Sequence, residues 1–161
     1  MKKVTRSLAI ALILMIAMSL IGCKQAPKPI KKPDGGEVTH AINGSCTLTI
    51  EGDTATVSGT TGLMQGTVIK ISIFSASGKE LASEIQEVTE EAYTASFAVD
   101  PAWNGEIYGF LSCTPSSNGS QPKEVKEAYG KNFANLEGEN VIWNAKEVMF
   151  VLMSESLTVG A

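Results

Sequence analysis

Short segments in which apolar and polar residues alternate recur after residue 45, and this pattern constrains the fold more than any other feature. Cys46, Leu48 and Ile50 alternate with polar neighbours, and Gly52-Asp53 then leads into a second alternating segment. A period of two residues places successive side chains on opposite faces of a strand. The two segments therefore predict a β-hairpin.

The same period returns several times along the chain. Residues 93–99 alternate most clearly, whereas residues 107–113, IYGFLSC, are apolar on both faces, which is typical of a central strand covered twice. Other strands are predicted at residues 69–75, 80–88, 141–143, 148–153 and 157–159. Residues 59–66, 102–105 and 114–119 are predicted to be turns or loops.

One short helix is predicted after Pro122, with Val125 and Tyr129 on one side and Gly130 at its end. Regular short strands separated by turn residues, with a single helix, predict a mainly β domain. The expected architecture is an immunoglobulin-like or fibronectin-like β-sandwich. Residues 38–161 are enough for one such domain with one core.

The first 22 residues have the layout of a secretory signal. Lys2, Lys3 and Arg6 precede an apolar run over residues 8–21. This run is shorter than the roughly 20 residues that a membrane-spanning helix needs. Residues 1–22 are therefore interpreted as a signal peptide that directs the chain out of the cytoplasm.

The end of that run, Leu20-Ile21-Gly22-Cys23, resembles the lipobox of bacterial lipoproteins. The resemblance implies cleavage before Cys23 and lipid attachment to its sulfur, so that the protein is anchored in the bacterial cell membrane and faces away from the cytoplasm. Stable anchoring requires at least two acyl chains. The alternatives are an ordinary signal peptide or an uncleaved anchor.

Residues 23–37 join this anchor to the domain. They contain three prolines, four lysines and a Gly-Gly pair. Such a segment buries too little apolar surface to fold, and its prolines favour an extended chain of about 3.1 Å per residue. We expect a tether that holds the domain up to roughly 40 Å from the membrane.

The domain is acidic. From Val38 onward six lysines face 15 acidic residues, and there is no arginine, so the formal net charge is −9. Nucleic-acid binding depends on clustered Lys and Arg, which makes nucleic acid an improbable partner. The remaining partners are the membrane, through Cys23, and a surface protein or glycan.

Two cysteines remain if Cys23 carries lipid. Cys46 and Cys113 each fall in or at the end of a predicted strand, in a compartment where disulfides persist. They are either a disulfide pair or two separate buried thiols. A bridge closing this loop would stabilise the domain by roughly 4 kcal/mol.

Aromatic residues supply one binding hypothesis. Trp103 in a predicted loop and Tyr108 could form a ligand platform on which sugar rings stack, with Trp143 nearby. The alternative is that these side chains belong to the core.

Catalytic groups are scarce. His40 is the only histidine, and the carboxylate pairs Glu90-Glu91 and Glu137/Glu139 are expected in any domain this acidic. No phosphate loop or CxxC motif is present. We predict neither an enzyme nor a cofactor or metal site.

The segment TVSGTTGLMQGTVIKISIFSASGKELASE is similar to the immunoglobulin-like domains of uncharacterised bacterial surface lipoproteins, as is QPKEVKEAYGKNFANLEGENV. The resemblance implies a fold but does not indicate any particular activity. The expected function is a lipid-anchored binding or structural module. The alternatives are a carbohydrate or cell-wall binding module, and a proteinase inhibitor that inserts a loop at residues 59–66 or 114–119.

Overall fold

The computed structural model describes residues 39–116, 120–143 and 147–160. The predicted signal peptide, Cys23 and the tether lie outside these residues, as does part of the predicted loop at 114–119. Within the described chain the fold is mainly β with one α-helix, and this confirms the predicted class.

The described strands and helices are numbered in chain order. They are β1 (His40–Ala41), β2 (Gly44–Glu51), β3 (Thr54–Thr61), β4 (Val68–Ser75), β5 (Glu80–Glu87), β6 (Ala92–Ala98), β7 (Gly105–Cys113), α1 (Lys123–Tyr129), a 3₁₀ turn (Lys131–Phe133), β8 (Leu136–Glu137), β9 (Val141–Trp143), β10 (Val148–Met153) and β11 (Leu157–Val159).

Two antiparallel sheets contain most of these strands. The smaller sheet has the order β2-β3-β6, and the larger has the order β5-β4-β7-β10-β9 with β11 also paired to β7. The two-residue strands β1 and β8 pair in parallel. Strand β7 therefore lies at the centre of the larger sheet, with β4 along one edge and β10 and β11 along the other.

The inner faces of the two sheets pack on each other. Ile107 and Leu111 of β7 are fully buried, as are Ala55 and Val57 of β3. The sheets approach closely at Gly109, where an added Cβ would lie 3.1 Å from both methyl carbons of Val57. Glycine at this position allows the central strand to approach the opposite sheet.

Helix α1 covers one end of the core. Val125 and Tyr129 are buried, and the Tyr129 hydroxyl accepts a hydrogen bond from the Met64 amide at 2.7 Å. The ring of Tyr129 makes edge contacts with His40 and Phe133. The helix ends at Gly130, whose φ of +74° suits glycine. The predicted helix is thus confirmed.

A glutamine side chain extends the pairing between β4 and β7. Backbone pairing of these strands reaches Lys70 and Ser112. Beyond that point the buried Gln121 amide accepts a hydrogen bond from the Val68 N–H at 2.9 Å and donates to the carbonyls of Val68 and Thr114. The amide therefore substitutes for backbone groups that a neighbouring strand would supply.

The predicted turn at residues 59–66 is partly wrong. Gly59, Thr60 and Thr61 continue β3, because they pair with β2, and Gly59 and Thr60 also pair with β6. A Cβ at Gly59 would collide with the Ser45 carbonyl. Glycine here permits close strand pairing instead of a turn.

We predict that Gln121→Met destabilises the protein by about 2 kcal/mol or more, because the buried Val68 N–H and C=O lose their amide partner. Gln65→Met is the matched control, since the Gln65 amide donates to Thr89 from an exposed position. Urea denaturation monitored by circular dichroism measures both variants. Equal stability of the two variants would contradict the role assigned to Gln121.

Candidate functional site

The predicted ligand platform does not form, because Trp103 is a core residue. Its side chain is 7% exposed and belongs to the cluster of buried hydrophobic residues. The turn that precedes it is closed by a hydrogen bond from the Trp103 amide to the Asp100 carbonyl. An indole buried in this way has no free face for stacking, so Trp103 cannot form a platform with Tyr108. Trp143 also packs against the core.

The Tyr108 side chain points away from the core. It lies on β7 between the buried Ile107 and Gly109, so its ring is on the outer face of the larger sheet, where it is partly exposed. The hydroxyl donates a hydrogen bond to Glu106 at 3.3 Å. Partial burial and the charge of Glu106 raise the pKa of Tyr108.

The two cysteines are both free and have different surroundings. Cys46 is partly buried in β2 beside Tyr93 and the backbone of Ser154. Ser154 bonds to Gly109, which is four residues from Cys113 along β7. Four residues of strand span about 13 Å, which is more than a disulfide can bridge. The structure therefore does not bring these thiols together.

Burial also affects the chemistry of these thiols. It raises the pKa of Cys113 to about 12. Burial raises the pKa of Cys46 as well, although hydrogen bonds involving Tyr93 and Ser154 oppose the shift. The thiolate is the reactive form, so both cysteines are poor nucleophiles in the folded protein.

The remaining titratable candidates are dispersed. His40 stacks edge-on against Tyr129 at a ring centroid distance of 5.4 Å. Glu90 and Glu91 lie exposed between β5 and β6, and Glu137 and Glu139 are exposed near β8. Within the described chain no three His, Cys, Asp or Glu side chains lie together as a metal site would require.

Two shallow surface cavities of similar size lie along the edge of β2. One, of about 260 Å³, is lined by β1, β2, β3 and Glu91. The other, of about 270 Å³, lies between β2 and the segment that leads into β11, and Cys46 and Glu155 line it. The second cavity contains a thiol and a carboxylate, but burial raises the pKa of Cys46 and so disfavours the reactive thiolate.

The outer face of the smaller sheet is rich in serine and threonine hydroxyl groups. Cross-strand neighbours bond to each other there, as between Ser45 and Thr60 at 3.0 Å and between Thr56 and Ser96 at 3.1 Å. We call this the hydroxyl face. Its serines and threonines are Ser45, Thr47, Thr49, Thr54, Thr56, Ser58, Thr60, Thr94 and Ser96.

The outer face of the larger sheet is mainly apolar in its middle strands, and we call it the apolar face. At its centre the rings of Phe74 and Phe110 meet edge to face with centroids 5.6 Å apart. Most of its large side chains are only partly buried. Its apolar members are Phe74, Ile85, Tyr108, Phe110, Ile142, Met149, Val151 and Met153.

The charges on the apolar face are few. Lys70 and Glu80 form an ion pair at 2.6 Å, and Ser83 donates to the same carboxylate. Burial disfavours ionisation of Glu80, but the hydrogen bonds and the charge of Lys70 outweigh it, so its pKa is lowered. Glu106 beside Tyr108, and Glu87, which lies opposite Val68 on β5, contribute further negative charges. The alternation along single strands does not reveal this face, because its members come from five strands.

The sequence matches no known protein family and no curated protein. In the described part of the chain, no helix has the length and apolar character that would let it cross a bilayer.

We predict that iodoacetamide at neutral pH modifies neither cysteine rapidly in the folded protein, because burial keeps both thiols protonated. In denaturant without reductant, Cys46 and Cys113 should both be alkylated, and intact mass measures the number of adducts. A denatured chain that takes up label at these positions only after reduction would show that a disulfide joins them.

Proposed function

We propose that the chain is a bacterial lipoprotein whose domain acts as a non-catalytic binding or structural module outside the cytoplasm. The observation that carries the proposal is the order of features in the first 23 residues: positive charge, a short apolar run, then Leu-Ile-Gly before Cys23. Lipid on Cys23 would hold the domain at the membrane.

The domain's surfaces support a role in contact rather than in chemistry. Both domain thiols are buried to a large degree, and the described carboxylates and the single histidine are dispersed. The two outer faces, by contrast, are extended and chemically distinct. Extended faces of this kind suit recognition of a macromolecule.

We further propose that the domain is an immunoglobulin-like β-sandwich. Two antiparallel sheets that bury a common core support this assignment. The helix and the short parallel pair β1-β8 are additions at one end of the packed sheets.

The alternative functions find less support. A glycan platform built on Trp103 would need an exposed indole, and this one is buried. An inhibitory loop at residues 59–66 would need to project, but Thr61 and Leu63 are buried and Met64 bonds to Tyr129. No described feature favours either function over a general contact module.

We predict that Cys23→Ala releases the chain from the membrane, because the sulfur that accepts the lipid is lost. The wild-type full chain, expressed in bacteria, should fractionate with membranes and have an intact mass that begins at Cys23 and includes acyl chains. The variant should lose both properties.

Cys46→Ala is the matched control, since this cysteine lies within the domain, and it should remain membrane-bound. A wild-type chain that is cleaved elsewhere and found in the soluble fraction would contradict lipid anchoring.

A further inference from the structure

Strand β5 forms one edge of the larger sheet, and within the described chain it pairs with β4 alone. Just beyond β5, the Val88 N–H donates to the Thr67 carbonyl at 2.9 Å. Hydrogen-bonded and non-hydrogen-bonded pairs alternate along an antiparallel ladder, so every second residue of β5 directs its backbone N–H and C=O away from β4. These residues are Ser83, Ile85 and Glu87.

This free side of β5 is open to solvent. The three residues whose backbone groups point away from β4 are all exposed. Ile85, the central one, is 58% exposed and is the one large hydrophobic residue of the described chain that is exposed. Pairing with β4 is regular from Glu87 to Ala82, and the register shifts only near Phe74. Unpaired backbone groups along a regular strand are a template to which an extended chain can add as a further strand.

The other edges of the two main sheets are shorter or partly covered. In the described chain β9 and β11 have three residues each. The free side of β6 is partly closed, because the Gln86 amide donates to the Thr94 carbonyl at 2.9 Å. On β2 the outward backbone of Leu48 belongs to a buried residue that lies beside residues 155–157. Strand β5 therefore offers the longest open edge.

Charge selects what can bind to this edge. Glu84 and Glu87 project from opposite faces of β5, because an odd number of positions separates them. Lys70 neutralises Glu80 near one end of the strand, but the described chain provides no such cation for Glu84 or Glu87. Residues 80–122 contain no Lys or Arg. The edge is thus anionic on both faces, so it attracts a cationic strand and repels a second copy of β5.

We propose that β5 is a docking edge for an extended cationic segment of another protein, which adds to the larger sheet as an antiparallel strand. Backbone hydrogen bonds to β5 hold the segment, and its alternate side chains give specificity. Directly opposite side chains on neighbouring strands lie about 4.5–5.5 Å apart. A matching segment places Lys or Arg opposite Glu87, an apolar residue opposite Ile85 and Lys or Arg opposite Glu84. This inference rests on the proposed contact function and assigns it a class of partner.

Synthetic peptides test the proposal on the purified full chain. The probe is acetyl-SKTVKTS-amide, whose lysines and valine have the spacing that an antiparallel partner of β5 requires. One control peptide has glutamate in place of both lysines. A second control has N-methylvaline, which keeps the charges but lacks the central backbone donor. Amide hydrogen exchange, measured by nuclear magnetic resonance, should slow several-fold at Ser83, Ile85 and Glu87 with the probe, and with neither control.

Substitutions in the protein test the two parts of the recognition. Glu84→Gln combined with Glu87→Gln should weaken the effect of the probe several-fold, because the anionic charge is lost. Glu51→Gln combined with Asp53→Asn removes the same charge from the turn between β2 and β3 and should leave the effect unchanged. Ile85→Pro should abolish slowing at the other two amides, since it removes the central N–H from the edge without interrupting the bonds to β4. Circular dichroism checks that each variant is folded.

Three results would overturn the proposal. Equal slowing by the probe and the N-methylated peptide would show attraction between charges without strand addition. Equal slowing by the lysine and glutamate peptides would show that the carboxylates do not select the partner. The third is exchange at the three amides that does not change with the probe. The assay does not require lipid, so a chain that proves to be unanchored refutes the lipoprotein proposal alone.

Discussion

The apolar character of both faces of β7 is the constraint on which the rest of the structure depends. The inward side chains Ile107 and Leu111 are fully buried, and each contributes roughly 1.5–3 kcal/mol of hydrophobic stabilisation relative to exposure. Gly109, between them, lets β3 approach within contact of the strand. Pairing with β4, β10 and β11 then places β7 at the centre of the larger sheet. The remaining strands and helix α1 complete the shell around this inner face.

The outward side chains of β7 explain why the two outer faces of the protein differ. Tyr108 and Phe110 join Phe74, Met149 and Met153 in a surface that is only partly buried, while Ser and Thr dominate the opposite surface. In the contact module that we propose, such a difference would direct a partner to one side.

Local patterns predicted the strands and the helix. The two-residue period of apolar and polar side chains, and the helix signals between Pro122 and Gly130, depend only on residues that are close together in the sequence. Sequence reasoning was wrong where the outcome depended on distant residues. Gly59 was interpreted as part of a turn, although its lack of a side chain serves pairing with Ser45. Trp103 follows a turn signal, yet tertiary packing buries it. The apolar face was not predicted, since strand register brings Phe74 to Phe110 from 36 positions apart.

The central claim is that the inner face of β7 holds the two sheets together, and one inward and one outward side chain of this strand test it. Leu111 is fully buried between the sheets, whereas Tyr108 is partly exposed on the outer face. Urea denaturation monitored by circular dichroism measures the free energy of unfolding of Leu111→Ala and Tyr108→Ala. The account predicts that Leu111→Ala lowers this free energy by about 2–5 kcal/mol and that Tyr108→Ala lowers it by less. Equal losses in the two variants would contradict the account.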